Sequence, residues 1–261
     1  MKIKFKEILK KAGLFFEHLI FPDDIKCIFC GKDVADFENK SYCDECEKDV
    51  EINNGNRCII CDDPIANEAI VCDYCQKHKR EFKKAFCPFV YNGAIRHAIL
   101  AYKESNKRFL AKTFAKYIAN LIIESKVKID YVTFVPLTKK KLRQRSFNQS
   151  KLLATEVAKI LNVEVVELFE RVKDIPAQKF SSFDERHKNM IDLYKLLPTK
   201  LEADKNYLIV DDVITTGATM NYCSGLISKK VENVYVCALA RNKKRIQKDD
   251  SSRVTKTEYF V

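Results

Sequence analysis

The chain has 261 residues, with 47 Lys and Arg against 36 Asp and Glu and a formal net charge of +11 at pH 7. That length holds one or two domains with a real core, and nothing in a 46% apolar composition calls for global disorder. No apolar run reaches the ~20 residues of a membrane span, and the positive excess fits a polyanionic partner, a phosphorylated substrate or simple solubility.

Met1 to Ile20 places Phe5, Ile8, Leu9, Phe15, Phe16 and Leu19 at roughly helical spacing against lysines. Such an amphipathic helix docks on its own protein or lies on a membrane surface. Charges interrupt its apolar residues and no small-residue cleavage site follows, so it does not read as an export signal. Of 11 cysteines, eight fall in four Cys-x-x-Cys pairs: Cys27 with Cys30, Cys43 with Cys46, Cys58 with Cys61, and Cys72 with Cys75. In a chain without an export signal this points to metal in a reducing compartment, the cytoplasm or the inner face of its membrane, rather than to disulfides.

The spacings are C-x2-C-x12-C-x2-C and then C-x2-C-x10-C-x2-C, which match structural zinc sites. The segment also repeats, C-I-x-C followed by C-D-x-C, twice. One zinc on Cys27, Cys30, Cys43 and Cys46 and a second on Cys58, Cys61, Cys72 and Cys75 follows from that repeat. A cross-braced pairing, first pair with third and second with fourth, stays open. Redox and iron–sulfur readings suit four paired knuckles less well. The module is too small and polar to fold on apolar burial alone, so zinc, worth ~10–16 kcal/mol per structural site, would supply its folding energy. Cys87, Cys223 and Cys237 lack partners in spacing and are expected as buried small apolar residues.

From about Phe86 the pattern becomes that of an α/β domain. Ala94 to Lys103 and Lys107 to Glu124 read as helices, and Tyr131 to Val135 as a short strand ending at Pro136-Leu137-Thr138. The basic run Lys139 to Arg145 follows at that strand's end, and Ser146 to Ser150 opens a helix reaching Leu161. Val163 to Phe169 and Ile191 to Leu196 read as strands. Between them lies a polar stretch, Lys173 to Asn189, long enough to act as a lid or to be a plain insertion. Val234 to Ala240 completes the sheet, and the basic tail from Asn242 carries no pattern.

Tyr207 to Thr219 is the most informative stretch. Four apolar residues suit a buried parallel strand, Asp211 and Asp212 end it, and Thr215, Thr216, Gly217, Ala218 and Thr219 lead into a helix over Met220 to Lys230. Small residues with free backbone N–H groups at a helix N-terminus bind phosphate, and the threonines add hydroxyl donors. A carboxylate beside a phosphate is repulsive unless sugar hydroxyls or Mg²⁺ lie between them. Singly, these residues would fit an ordinary strand and helix start; the unbroken run points to a sugar phosphate.

This stretch resembles the phosphoribosyl-pyrophosphate (PRPP) motif of type I phosphoribosyltransferases. The resemblance gives the ribose hydroxyls to Asp211 and Asp212 and the 5′-phosphate to Thr215 through Thr219. Val135-Pro136-Leu137 through Asn148-Gln149 resembles the signature of the ComF/GntX family, which also carries an N-terminal double zinc ribbon. That likeness runs from Phe21 to Arg241 and departs at Ser146, where the family usually has Gly. It implies a type I phosphoribosyltransferase fold, a mostly parallel sheet flanked by helices, preceded by a small double zinc-ribbon module. The expected limits are 1–20 for the N-terminal helix, 21–85 for the ribbons, 86–241 for the phosphoribosyltransferase-like domain and 242–261 for the tail. The resemblance assigns the pyrophosphate, or another polyanion, to Arg143, Arg145, Asn148 and Gln149, with Arg186 on a mobile loop that also holds Gln178 and Asn189. It implies two structural Zn²⁺ ions, Mg²⁺ with PRPP, and a link to natural competence, the DNA-uptake machinery and single-stranded DNA. Two functions stay open at this point: binding of Mg-PRPP in DNA handling, or transfer of the 5-phosphoribosyl group to a nucleobase or amine.

Overall fold

The computed structural model describes residues 27–32, 34, 42–65, 68–104, 107–172 and 193–242. The N-terminal helix, the stretch with Gln178, Arg186 and Asn189, and all of the tail but Asn242 lie outside the described residues.

The core is a parallel sheet in the order β1-β8-β7-β3-β4, with β2 also pairing β8. Its strands are β1 (Lys84–Phe86), β2 (Phe89–Val90), β3 (Tyr131–Phe134), β4 (Glu164–Val165), β7 (Asn206–Ile214) and β8 (Asn233–Arg241). β7 lies between β8 and β3, with Leu208 opposite Tyr235 on one side and Val132 on the other. A strand paired on both edges and covered on both faces must be apolar throughout, which is why Tyr207 to Val210 is an unbroken buried run. Alternate residues serve alternate faces: Leu208 and Val210 join one core, Tyr207 and Ile209 the other.

The first face is covered by α3 (Gly93–Glu104), α4 (Leu110–Glu124) and α6 (Gln149–Leu161). In α4 the buried Leu110, Phe114, Ile118 and Ile122 recur every four residues, the stripe a sheet-packing helix requires. α7 (Ala218–Ile227) covers the second face, with an antiparallel pair formed by β5 (Phe169–Arg171) and β6 (Tyr194–Leu196). The strand expected over Val163 to Phe169 is therefore two strands. Its first residues pair with β3, then the chain leaves the sheet and Phe169 pairs with Leu196.

Two short helices, α1 (Asp44–Asp49) and α2 (Asp73–Lys77), belong to the cysteine-rich segment, and α5 (Lys139–Arg145) is the basic run. The cysteine-rich segment packs on both faces of the sheet. Cys27, Ile28, Phe29, Val34 and Cys46 belong to the first core, while Cys58 and Cys61 belong to the second. The chain between the two groups runs beside β2, with Val90 N donating to Glu51 O at 2.9 Å. No helix among the described residues is long and apolar enough to cross a membrane.

Candidate functional site

The thiols gather in chain order: Cys27, Cys30, Cys43 and Cys46 form one group, Cys58, Cys61, Cys72 and Cys75 the other. Within each, all Sγ atoms lie within 4.8 Å of one another. Cys30 and Cys43 are 3.7 Å apart, and Cys61 and Cys72 3.6 Å. A tetrahedral zinc with Zn–S bonds near 2.3 Å sets its sulfurs ~3.8 Å apart, so both groups fit Zn²⁺ as closed, four-thiolate sites. Cys87, Cys223 and Cys237 are fully buried elsewhere in the core.

β7 carries Asp211 and Asp212 to the C-terminal edge of the sheet, and the first turn of α6 meets them there. Ser150 Oγ donates to Asp211 Oδ1 at 2.8 Å, and Gln149 Nε2 donates to Asp212 Oδ2 at 2.9 Å. Lys103, near the end of α3, pairs with Asp212 Oδ1 at 2.8 Å. Asp211 Oδ1 also accepts from Asp212 N at 2.8 Å, and no described residue donates to its Oδ2. Asp212 is 8% exposed, Asp211 partly buried. Burial, then the charge of Asp212, push the Asp211 carboxyl up to about 7.

β7 then runs into the turn at Thr215. Gly217 is the N-cap of α7 at φ 77°, a left-handed conformation, and has no side chain with which to cap the helix. Thr216 Oγ1 accepts from Ala218 N at 3.2 Å. The other backbone donors of the helix start have no partner among the described residues, and donors so placed can bind an anion. A side chain at Gly217 would be strained by its φ and would bring a Cβ within 3.2 Å of Arg80 Nη1. Thr215 is exposed; Thr216 and Thr219 are partly buried.

The basic run forms α5 immediately beyond β3, the strand beside β7, capped by Thr138, which accepts from Lys141 N at 3.3 Å. Arg143 is exposed and Arg145 partly buried. Ser146 ends α5 at φ 61°, so the position where the family usually has Gly does take the left-handed conformation. Asn148 caps α6, accepting from Ser150 N at 2.9 Å and donating to Val135 O at 3.1 Å. Its side chain is thus engaged within the fold, as is that of Gln149. A hollow of about 510 Å³ lined by Phe134, Leu142, Phe147, Asn148, Lys151 and Glu167, among others, lies beside α6 but includes neither Asp211, Asp212 nor the Thr215–Thr219 turn. Lys103 and Ser150 are the acid partners that sequence reasoning missed. Ser150 lay within reach of it, in the first turn of a helix at the same sheet edge, whereas Lys103 carries no signal among 47 basic residues.

A model of the phosphoribosyl transferase domain matches residues 148–260, and one of PHF5-like protein matches residues 7–107, the span holding both four-cysteine groups. Competence protein F of Haemophilus influenzae is 27% identical over 226 residues, 84% of this chain and 97% of the relative. Competence protein ComFC of Streptococcus pneumoniae is 24% identical over 219 residues, 78% of this chain and 94% of the relative. DNA utilization protein YhgH of Escherichia coli O157:H7 is 31% identical over 115 residues, 43% of this chain and 49% of the relative. The chain is a ComF-like protein, a homologue of competence proteins F and ComFC with a phosphoribosyltransferase domain and two four-cysteine groups that fit a double zinc ribbon.

Proposed function

We propose that the chain binds Mg-PRPP, or a related sugar phosphate, at the turn between β7 and α7 and takes part in handling single-stranded DNA. The observation that carries the ligand is the start of α7: a helix N-terminus whose N-cap is a left-handed glycine with no side chain, directly after a strand bearing two carboxylates. Thr215, Thr216, Gly217, Ala218 and Thr219 hold the 5′-phosphate. Asp211 and Asp212 face the ribose hydroxyls, Asp211 through its Oδ2. Mg²⁺ accompanies the pyrophosphate, whose remaining charge Arg143 and Arg145 offset, with Arg186 from outside the described residues. The DNA role is supported by the competence and DNA-utilization names of the relatives and by the net charge of +11.

Calorimetric titration with PRPP and Mg²⁺, followed by titration with single-stranded DNA across salt, tests both parts. PRPP should bind, and the double variant Asp211→Asn, Asp212→Asn should lose it while keeping DNA. DNA affinity should fall steeply as salt rises. A folded protein that ignores PRPP rejects the ligand. Steady pyrophosphate release with an added nucleobase or amine would replace the binding role with a transferase.

A further inference from the structure

Two arginines connect the second four-cysteine group to the phosphate turn. Arg80, on the stretch leaving that group, donates from Nε to Cys75 Sγ at 3.5 Å and from Nη2 to the Thr216 carbonyl at 3.3 Å. Its guanidinium lies over the Tyr74 ring at 4.3 Å, inside the Cys72–Cys75 knuckle. Arg241, at the end of β8, donates from Nη2 to Cys61 Sγ at 3.8 Å and from Nε to Asp63 Oδ1 at 3.2 Å. Both Nη1 atoms are buried without a hydrogen-bond partner, and they lie 3.2 and 3.7 Å from where a Cβ on Gly217 would stand. Glu81 ties the same stretch to α7, its N donating to Asn221 Oδ1 at 2.9 Å and its carboxylate accepting from Ser228 Oγ at 2.9 Å.

We infer that Arg80 and Arg241 are positioning residues that couple the second four-cysteine metal site to the Thr215–Thr219 turn, so that metal at this site sets the order of the turn. Four thiolates on one Zn²⁺ leave a net charge of about −2, which two guanidinium groups balance. Without the metal nothing holds four sulfur acceptors together beside them. Among the described residues, Arg80 and Arg241, 7% and 0% exposed, then keep only Asp63 as a paired anion. Buried cations left without counter-charge seek water, and here the move would release Thr216 and Gly217. The ion pair beside the first four-cysteine group is instead the exposed Lys32–Glu45, which touches no part of the turn. The turn should therefore be indifferent to the first metal. The consequence for ligand affinity, unlike the coupling itself, rests on the phosphate reading above.

Amide hydrogen exchange on the zinc-loaded full chain tests the coupling without any ligand. Compared with the unmodified protein, Arg80→Met and Cys72→Ser should each speed exchange at least tenfold at Ala218 and Asn221, whose amides donate to Thr216 Oγ1 and to the Gly217 carbonyl of the turn, with β3 and α4 still protected. Cys30→Ser should leave the turn unchanged. If Cys72→Ser unfolds the sheet as well, Arg80→Met decides. Unchanged exchange of the turn in Arg80→Met overturns the inference, as does a turn that loosens equally in Cys30→Ser. In a parallel titration with Mg-PRPP, Arg80→Met should bind at least tenfold more weakly. An unmodified protein that does not bind PRPP rejects the phosphate reading, and the exchange comparison still decides the coupling.

Discussion

Phe29 of the first four-cysteine group packs edge-on against Phe89 at 6.3 Å, and Phe89 against Tyr117 of α4 at 4.9 Å. Cys27, Ile28 and Phe29 are all buried in that apolar core, while Cys30 is exposed. The second group is attached differently. Cys58 and Cys61 are each 1% exposed, and around them stand the buried Asp62, Asp63, Arg80 and Arg241. Both groups carry the same four ligands, and they join opposite faces of one sheet. Apolar contact is short-ranged and non-directional, so the first metal can be lost with little consequence beyond its own packing. Buried ion pairs and N–H···S contacts depend on charge and direction, so the state of the second metal reaches whatever else those arginines touch.

The largest test of this contrast is to remove one metal at a time. Cys58→Ser with Cys61→Ser should unload the second site and leave Arg241 poorly paired in the core. The sheet should keep a cooperative melting transition at a markedly lower temperature, since the lost packing of Cys58 and Cys61 adds to the ~3–5 kcal/mol cost of a broken buried charge pairing. Cys30→Ser with Cys43→Ser should unload only the first site and leave that transition in place. Calorimetry with zinc analysis reads both, and equal damage from the two pairs would remove the distinction.

Next in size come single substitutions in each attachment. Arg241→Met breaks a buried pair and should cost ~3–5 kcal/mol. Phe29→Ala empties a core position and should cost a similar ~3–5 kcal/mol. Urea unfolding measures the two costs. What separates them is reach: only Arg241→Met should also loosen the turn before α7.

A smaller effect comes from pH, through the Asp211 carboxyl. The folded protein keeps the Asp211 proton up to about 7, whereas the unfolded chain releases it near 3.8. The folded state thus binds more protons between those values, so this contribution to stability is complete below about 4 and is lost as pH rises to about 7, by a few kcal/mol at most. Asp211→Asn should flatten that slope in a series of urea unfolding curves.

The smallest effect belongs to Ser146. A left-handed non-glycine costs roughly 1–2 kcal/mol, and glycine returns roughly 0.5–1 kcal/mol of that through the unfolded chain. Ser146→Gly should therefore raise stability by about 1 kcal/mol or less, with no effect on either metal.

The parts of this arrangement legible in the sequence are those encoded locally. The paired cysteines, the apolar run ending in Asp211 and Asp212, and the Thr/Gly turn each declare themselves within a dozen residues. Even the departure at Ser146 could be read as a demand for positive φ. What stayed hidden depends on contacts between distant segments. Lys103 meets Asp212 across 109 positions of chain, and Arg80 meets Thr216 across 136. In the sequence Arg80 is one more charge in a basic stretch. Arg241 offered a fainter clue, a charge closing a strand whose other residues from Val236 to Ala240 are all buried. The split of Val163 to Phe169 was equally invisible, since pairing partners rather than propensity decide where a strand leaves its sheet.

The pairing of β1 and β2 with β8 also sets the order in which the molecule can be built. Lys84 lies opposite Tyr235 and Phe89 opposite Ala240, so the two earliest described strands must wait for the last. At roughly 5–20 residues per second, synthesis of the intervening chain lasts on the order of ten seconds. Throughout that interval both thiol clusters can already capture metal, because each is complete within about twenty residues. The guanidinium of Arg241 is the last piece to arrive. A nascent chain that captures metal would therefore carry its ions on an open scaffold, exposed to competing chelators and oxidants, until the final strand closes over the second of them.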